Sequence, residues 1–527
     1  MFPTNTDWIA KGDLLSSQIQ WSFYRTTPIV QWPITAIPNY GESLNTVVGS
    51  GIALVEIPLK LVNQILPRDF QYFGIWIVAC FALQGLFATR ILEHFKLPAL
   101  ARIIGSVMFI TSPILVMRVG ELGHPMLAAQ FLILASIDLY LKDSKSERKW
   151  RTLLAITMLT NLYLFVIVYS VYLARALQNM ILLRVGKDIK TAISKLLIST
   201  SLVLCIFFLL GYFEFRNSEL GAGFFRLDIY AFINPGYAYE TTFSLIANLL
   251  DPDHSSIRRF HDYEGVAYIG LVPIIGLMML LLGLKRNEQK EEMLRNSGIV
   301  LCAITLYLLA LSNKISIAGF EVSYWWPPLL NDFRQAFRAA TRFSWLLYYL
   351  FLLFGLISIF RFGLKDRTRS FVVLSFVLIH FVDIYPGISH LRDKQIEFEK
   401  RTSSLTSPAW DEIARDRSQL ILYPNFDLQT DKIIEDTELW NEHWQDFALY
   451  AVKKGMSTNF VYTSRSMFNE IEAQNRSLRL HLLNGDIDRS DIWVVADREL
   501  IKLIENKYDN LQISEIDGYW VVYFKSD

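Results

Sequence analysis

Repeated apolar stretches, each near the length needed to cross a lipid bilayer, constrain this sequence more than any other feature. A helix of about 20 apolar residues spans the hydrocarbon core. The pattern predicts spanning helices at residues 72–92, 98–117, 124–141, 197–213, 266–284, 298–312, 345–361 and 370–385. Charged residues make up 19% of the chain, against about 25% in an average soluble domain. The expected fold class is therefore mostly α, a polytopic membrane helix bundle covering residues 72–385.

Short loops rich in Lys and Arg set the orientation, because such loops stay cytoplasmic. The basic loops lie at residues 142–151, 184–195, 285–295 and 361–369. The external regions are then 1–71, 214–265, 313–344 and the tail from about 386.

The apolar segment 152–176 is flanked by two of the basic loops, so it should enter and leave on the same side. Asn161 interrupts it, which predicts a re-entrant hairpin of two short helices, buried in protein or lining a cavity. One ordinary helix with an inverted basic loop is the alternative.

Residues 1–71 form an external first loop in this topology. Because no span precedes them, we expect a first transmembrane helix upstream of Met1. The stretch 44–66 contains Glu56, Pro58 and Lys60 in an amphipathic pattern, which suits a helix lying in the membrane interface.

The tail, residues 386–527, reads as a small soluble α/β domain outside the membrane. Strands are predicted at 419–423, 491–495 and 519–524, and helices at 444–454 and 498–507. The tail carries excess negative charge, balanced by excess positive charge before it. An acidic tail domain excludes nucleic acid as a partner.

Carboxylates near the outer membrane surface are the first candidates for chemistry. Asp13 could accept a proton from an acceptor hydroxyl or hold a divalent cation, although an Asp before a helix also serves as a cap. Trp21 and Arg25 follow it in an aromatic–basic run and, with Arg118, are candidate substrate contacts. The turn from Arg118 to Pro125 adds Arg118, Glu121 as a second carboxylate and His124 as a proton carrier. A solvent-facing Gly/Pro turn is the alternative for it.

The loop 214–265 is too long for a simple connector. Tyr263 and Glu264 are candidate substrate contacts. Acidic and imidazole groups that could gather a cation are Asp251, Asp253, His254, His261, Asp262 and Glu264, although their spacing follows no strict metal motif. Structural turns are the alternative for this loop.

Arg334, Arg338 and Arg342 recur every four residues just before the span at 345–361. On a helix this spacing puts three guanidinium groups on nearly one face. Planar cations at that height suit phosphate or pyrophosphate, and ordinary anionic headgroups are the alternative.

As a set, these residues resemble a bacterial family of multi-pass membrane proteins defined only as a domain of unknown function, whose architecture looks like that of the GT-C glycosyltransferases. The segments that carry the resemblance are Gly12-Asp13 through Trp21-Ser22-Phe23-Tyr24-Arg25, Phe70-Gln71-Tyr72-Phe73-Gly74-Ile75-Trp76 with Leu83-Gln84-Gly85, Gly123-His124-Pro125, Ile233-Asn234-Pro235, Tyr263-Glu264-Gly265 with Tyr268-Ile269-Gly270, and Phe337-Arg338 to Arg342-Phe343.

The resemblance implies that Asp13 matches the acidic residue that GT-C enzymes place in their first external loop. The chain departs from the pattern at Ser16-Ser17, where a Gln-His pair is expected. The expected activity is transfer of a sugar from a polyprenyl-phosphate donor to a glycan, lipid or protein acceptor. Arg338 and Arg342 would bind the lipid phosphate.

Two other functions fit the same sequence. A non-enzymatic transporter of lipids or lipid-linked glycans would use the external arginines without a carboxylate base. Charged residues inside spans would favour it, and the sequence analysis finds few, chiefly Asp138 and Glu93 near helix ends. A receptor or scaffold would bind a partner through its tail.

Overall fold

The computed structural model describes residues 2–9, 12–41, 44–47, 49–120, 123–142, 146–182, 189–214, 225, 227–233, 243–245, 249, 266–282, 296–317, 320–325, 327–328, 331–361, 366–396, 402–426, 438–461, 468–505 and 507–525. The chain divides into two units. The helical unit comprises Met1–Pro3, Tyr72–Phe207 and Leu220–Phe398. The sheet unit comprises Thr4–Gln71, Phe208–Glu219 and Glu399–Asp527.

Apolar helices build the helical unit. They are α3 (Phe73–His94), α4 (Ala99–Ile110), α5 (Pro113–Gly120), α6 (Phe131–Leu141), α7 (Glu147–Thr160), α8 (Leu162–Leu182), α9 (Ile189–Leu209), α10 (Leu271–Leu281), α11 (Ser297–Ala310), α12 (Asn331–Ala336), α13 (Trp345–Phe360) and α14 (Asp366–Ile396). A two-stranded hairpin, β3 (Lys314–Ile317) and β4 (Phe320–Ser323), follows α11.

Five helices in the described part of the chain are long and apolar enough to cross a membrane, which is compatible with a multi-pass membrane protein. These candidate spans are Phe73–His94, Leu162–Met180, Ile189–Leu209, Ala340–Phe360 and Leu374–Asp393. The helix predicted at 98–117 is broken, since α4 and α5 meet at an angle of 41°. Pro113 explains the break, because proline cannot donate the hydrogen bond that would continue α4.

The predicted break at Asn161 is present, and the two helices on either side of it form a hairpin. Asn161 has extended backbone angles and its Oδ1 accepts the backbone N–H of Tyr163 at 2.9 Å, which starts α8. Trp150 of α7 contacts Tyr172 of α8, so the two helices run back along each other. The expectation of two short helices holds for α7, whereas α8 has 21 residues.

The sheet unit combines the N-terminal segment with the predicted α/β tail. Its helices are α1 (Gly12–Tyr24), α2 (Ala53–Leu61), α15 (Ala409–Ile413), α16 (Glu438–Lys454), α17 (Phe468–Asn484) and α18 (Arg498–Ile504). Its strands are β1 (Ala36–Ile37), β2 (Leu44–Asn45), β5 (Gln419–Tyr423), β6 (Ser457–Thr458), β7 (Asp491–Val495), β8 (Leu511–Ile516) and β9 (Tyr519–Phe524). The main sheet has the order β6-β5-β7-β9-β8.

The N-terminal segment extends this sheet at its β6 edge. The backbone N–H of Gly41 donates to the carbonyl of Thr458 at 3.1 Å, and that of Thr458 donates to Asn39 at 3.2 Å. Gly41 has a φ of 57°, and a Cβ there would lie 2.3 Å from the side chain of Val461. A glycine is therefore required where the two segments meet.

Helix α2 buries charged side chains, and apolar side chains at its C-terminal end are exposed. The charged residues Glu56 and Lys60 are buried, whereas Leu61, Val62 and Ile65 at its C-terminal end are exposed. Lys60 Nζ donates to Thr27 Oγ1 at 2.6 Å and lies 4.1 Å from the ring centroid of Tyr24. The amphipathic pattern predicted for 44–66 is thus present over α2.

Candidate functional site

Three arginine residues lie on the segments that meet at the N-terminal end of α13 in the helical unit. We call Arg118, Arg338 and Arg342 the arginine cluster. Arg118, near the end of α5, is 1% exposed, and its Cζ lies 5.4 Å from the ring centroid of Trp345, the first residue of α13. Arg342 precedes Trp345 by three residues, in a 3₁₀ turn that leads into the helix. A helix N-terminus carries partial positive charge, so this end of α13 favours anions.

The tip of the α7–α8 hairpin supports the same segment. The ring of Tyr163 lies 4.6 Å from Cζ of Arg342, and its hydroxyl oxygen accepts the backbone N–H of Ala339 at 3.0 Å. The ring also packs edge-on against Phe337, with centroids 5.1 Å apart. Tyr163 therefore fixes both the backbone and one guanidinium of the cluster.

Arg338 stacks in the same way on another aromatic residue. Its Cζ lies 5.1 Å from the ring centroid of Phe225, whose carbonyl accepts the backbone N–H of Thr341 at 3.4 Å. Such a contact places the guanidinium over the aromatic ring, and a planar guanidinium is the cation whose donors match the geometry of phosphate oxygens.

The single helix expected to carry Arg334, Arg338 and Arg342 on one face is wrong. Helix α12 ends at Ala336, and the chain leaves helical geometry before the 3₁₀ turn Ala340–Ser344 begins. The backbone N–H of Ala339 bonds to Tyr163 instead of continuing the helix. The side chain of Arg334 lies outside the described residues.

His124 lies beside Arg118 in the turn after α5. Its backbone N–H donates to the Arg118 carbonyl at 2.9 Å, and the ring is half-buried. The indole N–H of Trp76 donates to the carbonyl of Pro125 at 2.8 Å, which ties this turn to α3. Glu121, Tyr263 and Glu264 lie outside the described residues.

Asp13 belongs to the sheet unit, in the first turn of α1, and is half-buried. The hydroxyl of Ser17 donates to its carbonyl at 2.8 Å. Gln445 of α16 approaches the start of the helix, with Nε2 donating to the Gly12 carbonyl at 3.3 Å. A carboxylate in a first helical turn is stabilised by the helix dipole, so the cap interpretation and a role as base are both compatible with this position.

Trp21 and Arg25 make structural contacts in α1 and just after it. Trp21 is fully buried, and its indole N–H donates to the Phe70 carbonyl at 3.1 Å. The Arg25 guanidinium donates to Asn63 Oδ1 at 2.6 Å and to the carbonyls of Arg68 and Pro67. Burial lowers the pKa of Arg25, and the charge of Asp69 opposes that shift. These contacts hold the N-terminal segment together, and both side chains are buried.

Sequence analysis missed two buried ionisable residues in the middle of α14. Asp383 accepts hydrogen bonds from the Ser244 hydroxyl at 2.5 Å, the Tyr268 hydroxyl at 2.7 Å and the Leu271 backbone N–H at 2.9 Å. His380 is fully buried, with Nε2 3.1 Å from Thr111 Oγ1. Both lie within the candidate span Leu374–Asp393. A His and an Asp inside an apolar run were a signal available in the sequence.

Within the described ranges, no three His, Cys, Asp or Glu side chains come together as a metal site would require.

A family described as a domain of unknown function (DUF6311) matches residues 1–385, and its C-terminal domain matches residues 409–524. None of the curated proteins matches the chain. The two matched regions cover most of the sequence, and the chain therefore belongs to the DUF6311 family.

Proposed function

We propose that this chain is a multi-pass glycosyltransferase of a bacterial inner membrane, with the sheet unit on the extracytoplasmic side. It transfers a sugar from a polyprenyl-phosphate donor to an envelope glycan, lipid or protein acceptor. The observation that carries the proposal is the arginine cluster at the N-terminal end of a candidate span. Cations on aromatic rings at the end of an apolar helix suit a phosphate attached to a lipid.

The proposed step breaks the bond between the anomeric carbon and the phosphate oxygen, which keeps the electron pair. Arg338 and Arg342, with Arg118, stabilise the negative charge that grows on this leaving phosphate. The acceptor oxygen forms the new bond to the anomeric carbon and gives its proton to a general base. The candidates for this base are His124 and Glu121, from the turn after α5, and Asp13, from the sequence resemblance.

Transfer from a panel of radiolabelled polyprenyl-phosphate hexoses, in proteoliposomes with envelope glycan acceptors, tests the proposal. Arg338→Ala and Arg342→Ala should each lower kcat/KM by roughly 10²-fold or more, the scale for losing one charge-stabilising group. Arg→Lys at the same positions should recover part of this loss, since it restores the charge without the planar fork. Arg102→Ala is the matched control, because Arg102 pairs with Glu93 elsewhere on the helical unit. Arginine variants that transfer sugar at the wild-type rate would refute the site.

A transporter of lipids or lipid-linked glycans is the second candidate, and the buried Asp383 and His380 favour it. Ionisable residues inside a span usually mark a substrate, ion or proton path. A transporter would move the intact lipid-linked glycan between leaflets and form no glycosidic bond. Flipping of a lipid-linked glycan without product, abolished by Asp383→Asn and insensitive to Asp13→Asn, would select this function instead.

A further inference from the structure

The β3–β4 hairpin exposes most of an apolar face. Ile315 pairs with Val322 and Ile317 with Phe320. Paired residues share one face of a two-stranded sheet. Phe320 is 79% exposed and Val322 is 56% exposed, and Trp325 just beyond β4 is 75% exposed. This apolar face is uncovered by any described part of the chain.

The opposite face of the hairpin is polar and anchored. Ser316 is buried, and its hydroxyl donates to Asp228 Oδ2 at 2.6 Å. The other oxygen of Asp228 accepts the backbone N–H of Tyr230 at 2.8 Å and so begins the short 3₁₀ turn Ile229–Phe232. The hairpin is therefore held in one orientation, with its apolar face directed away from the protein.

The helix that leads into the hairpin places it at a membrane boundary. Helix α11 has 14 residues, which corresponds to about 21 Å at 1.5 Å per residue. The hydrocarbon core is about 30 Å thick. With Ala310 at one boundary, α11 would reach through about two-thirds of the hydrocarbon, and β3 at Lys314 would begin just outside it.

Neighbouring surfaces continue the apolar face. One side of α11 exposes Leu301, Ile304 and Leu308, spaced as on one helical face. The turn Ile229–Phe232 adjoins α11, because the Tyr307 hydroxyl donates to the Ile229 carbonyl at 3.4 Å. That turn also holds β3 through Asp228. These contacts connect the apolar helix α11 to the hairpin through the turn Ile229–Phe232.

We propose that the β3–β4 hairpin lies in the interface of the bilayer with Phe320, Val322 and Trp325 inserted among the lipids. Phe, Tyr and Trp are the residues that favour this depth. A two-stranded hairpin has unpaired backbone edges, which the hydrocarbon core does not tolerate and the headgroup region does. The hairpin would then hold this part of the protein against the membrane. In the sequence it is followed by the segment that contains Arg338 and Arg342. The inference rests on the membrane placement in the proposed function.

Paired cysteine probes test the insertion in nanodiscs. Phe320→Cys and Glu321→Cys, each in a background without Cys80, Cys205 and Cys302, receive a polarity-sensitive fluorophore. Adjacent strand residues point to opposite faces, so Glu321→Cys is the matched control. We expect the probe at 320 to show blue-shifted emission and quenching by lipids with spin labels near the headgroup. The probe at 321 should show the emission of a water-exposed group. Both variants are kept only if they are monodisperse and resist alkaline carbonate extraction.

Water-like emission at both positions, in protein that resists extraction, would overturn the hairpin inference and leave the membrane placement standing. Blue-shifted emission at 320 that disappears when the protein is diluted, without quenching by the labelled lipids, would mean that a second copy of the chain covers the face. That result would equally overturn the hairpin inference. Full extraction of the wild-type protein by carbonate would instead remove the membrane placement, and with it the proposed function.

Discussion

Glu147 and Arg175 lie equally far along the chain on either side of Asn161, and they form an ion pair with 3.2 Å between Oε1 and Nη1. Both side chains are largely buried. The Tyr172 hydroxyl donates to the second oxygen of Glu147 at 3.1 Å. The ion pair links α7 to α8 at the end opposite the tip of the hairpin. Tyr163, at the tip, contacts Arg342 of the arginine cluster.

Removing one member of this ion pair should destabilise the helical unit. Glu147→Gln leaves the buried Arg175 without its anionic partner, a change that typically costs about 3–5 kcal/mol. Thermal unfolding of the detergent-solubilised protein measures the loss. The double variant Glu147→Leu, Arg175→Met should recover much of it, because it removes the uncompensated charge. A double variant that is less stable than Glu147→Gln would show that this pair is not what holds the hairpin.

The ring of Tyr163 should matter more for phosphate binding than its hydroxyl. Tyr163→Ala removes the surface beneath Arg342 and should raise KM for the lipid-linked donor by roughly 3- to 30-fold, as expected for losing a cation–π contact of about 0.5–2 kcal/mol. Tyr163→Phe keeps the ring and loses the bond to Ala339, so its KM should stay near that of the wild type. Steady-state kinetics separates the two, and equal KM values for them would argue against stacking.

Asp383 should be required for the stability of the helical unit. Asparagine offers one acceptor oxygen in place of two, so Asp383→Asn leaves at least one of its three donors without an acceptor. The expected cost is about 1–3 kcal/mol, measured by thermal unfolding. Asp393→Asn, on the exposed end of the same helix, should change stability by less than about 0.5 kcal/mol. Similar effects of the two variants would mean that the buried contacts of Asp383 contribute little.

Lys60 should make the sheet unit more stable as the pH rises above about 8. Burial lowers the pKa of Lys60 from 10.5 to about 8, against the opposing effect of Glu56. Between these two values the unfolded chain binds a proton that the folded chain does not, so the free energy of unfolding increases with pH. Below about 8 both states are protonated and this contribution is constant. The difference in melting temperature between wild type and Lys60→Met should therefore change across pH 8–10 and be flat from pH 6 to 7.5.

Gly41 should tolerate substitution less than a glycine of similar backbone conformation. Gly41→Ala combines a positive φ with a contact of 2.3 Å to Val461. Gly455→Ala shares the positive φ, at 73°, and has nothing within 4 Å of its Cβ. We expect about 1 kcal/mol of destabilisation at Gly455, from the left-handed backbone alone, and a clearly larger loss at Gly41. Equal losses of stability would mean that the contact between residue 41 and Val461 relaxes at little cost.

The sequence predicted local features and failed at contacts between distant segments. The strands 419–423, 491–495 and 519–524 match the structure, because uninterrupted Ile, Leu, Val and Trp are characteristic of buried strands. The break at Asn161 was predicted because a polar residue interrupts an apolar run. Pro113 is a comparable signal for the break between α4 and α5. The arginine spacing misled because the hydroxyl of Tyr163, far along the chain, takes the N–H that would have extended α12. Nothing local to residues 39–41 signals their pairing with Thr458.

The chemistry of the site was harder to predict than its place. Arg118, Arg338 and Arg342 were chosen for their charge, and the structure brings them to one helix end. Trp21 and Arg25 were chosen by the same reasoning, yet they are used for packing. The sequence indicates that a cation lies near the end of an apolar segment, whereas only the fold shows whether backbone carbonyls already surround it.

The pairing of residues 39–41 with β6 limits how often the chain can cross a bilayer. Thr4–Gln71, Phe208–Glu219 and Glu399–Asp527 share one compact unit, and a compact unit lies on one side of a membrane. In a multi-pass arrangement the chain would therefore cross an even number of times between residues 72 and 207, and again between 220 and 398. With the predicted re-entrant hairpin counted as zero, the spans predicted from the sequence divide into two such even sets. Any revised topology that adds or removes a single span in either segment is incompatible with the sheet.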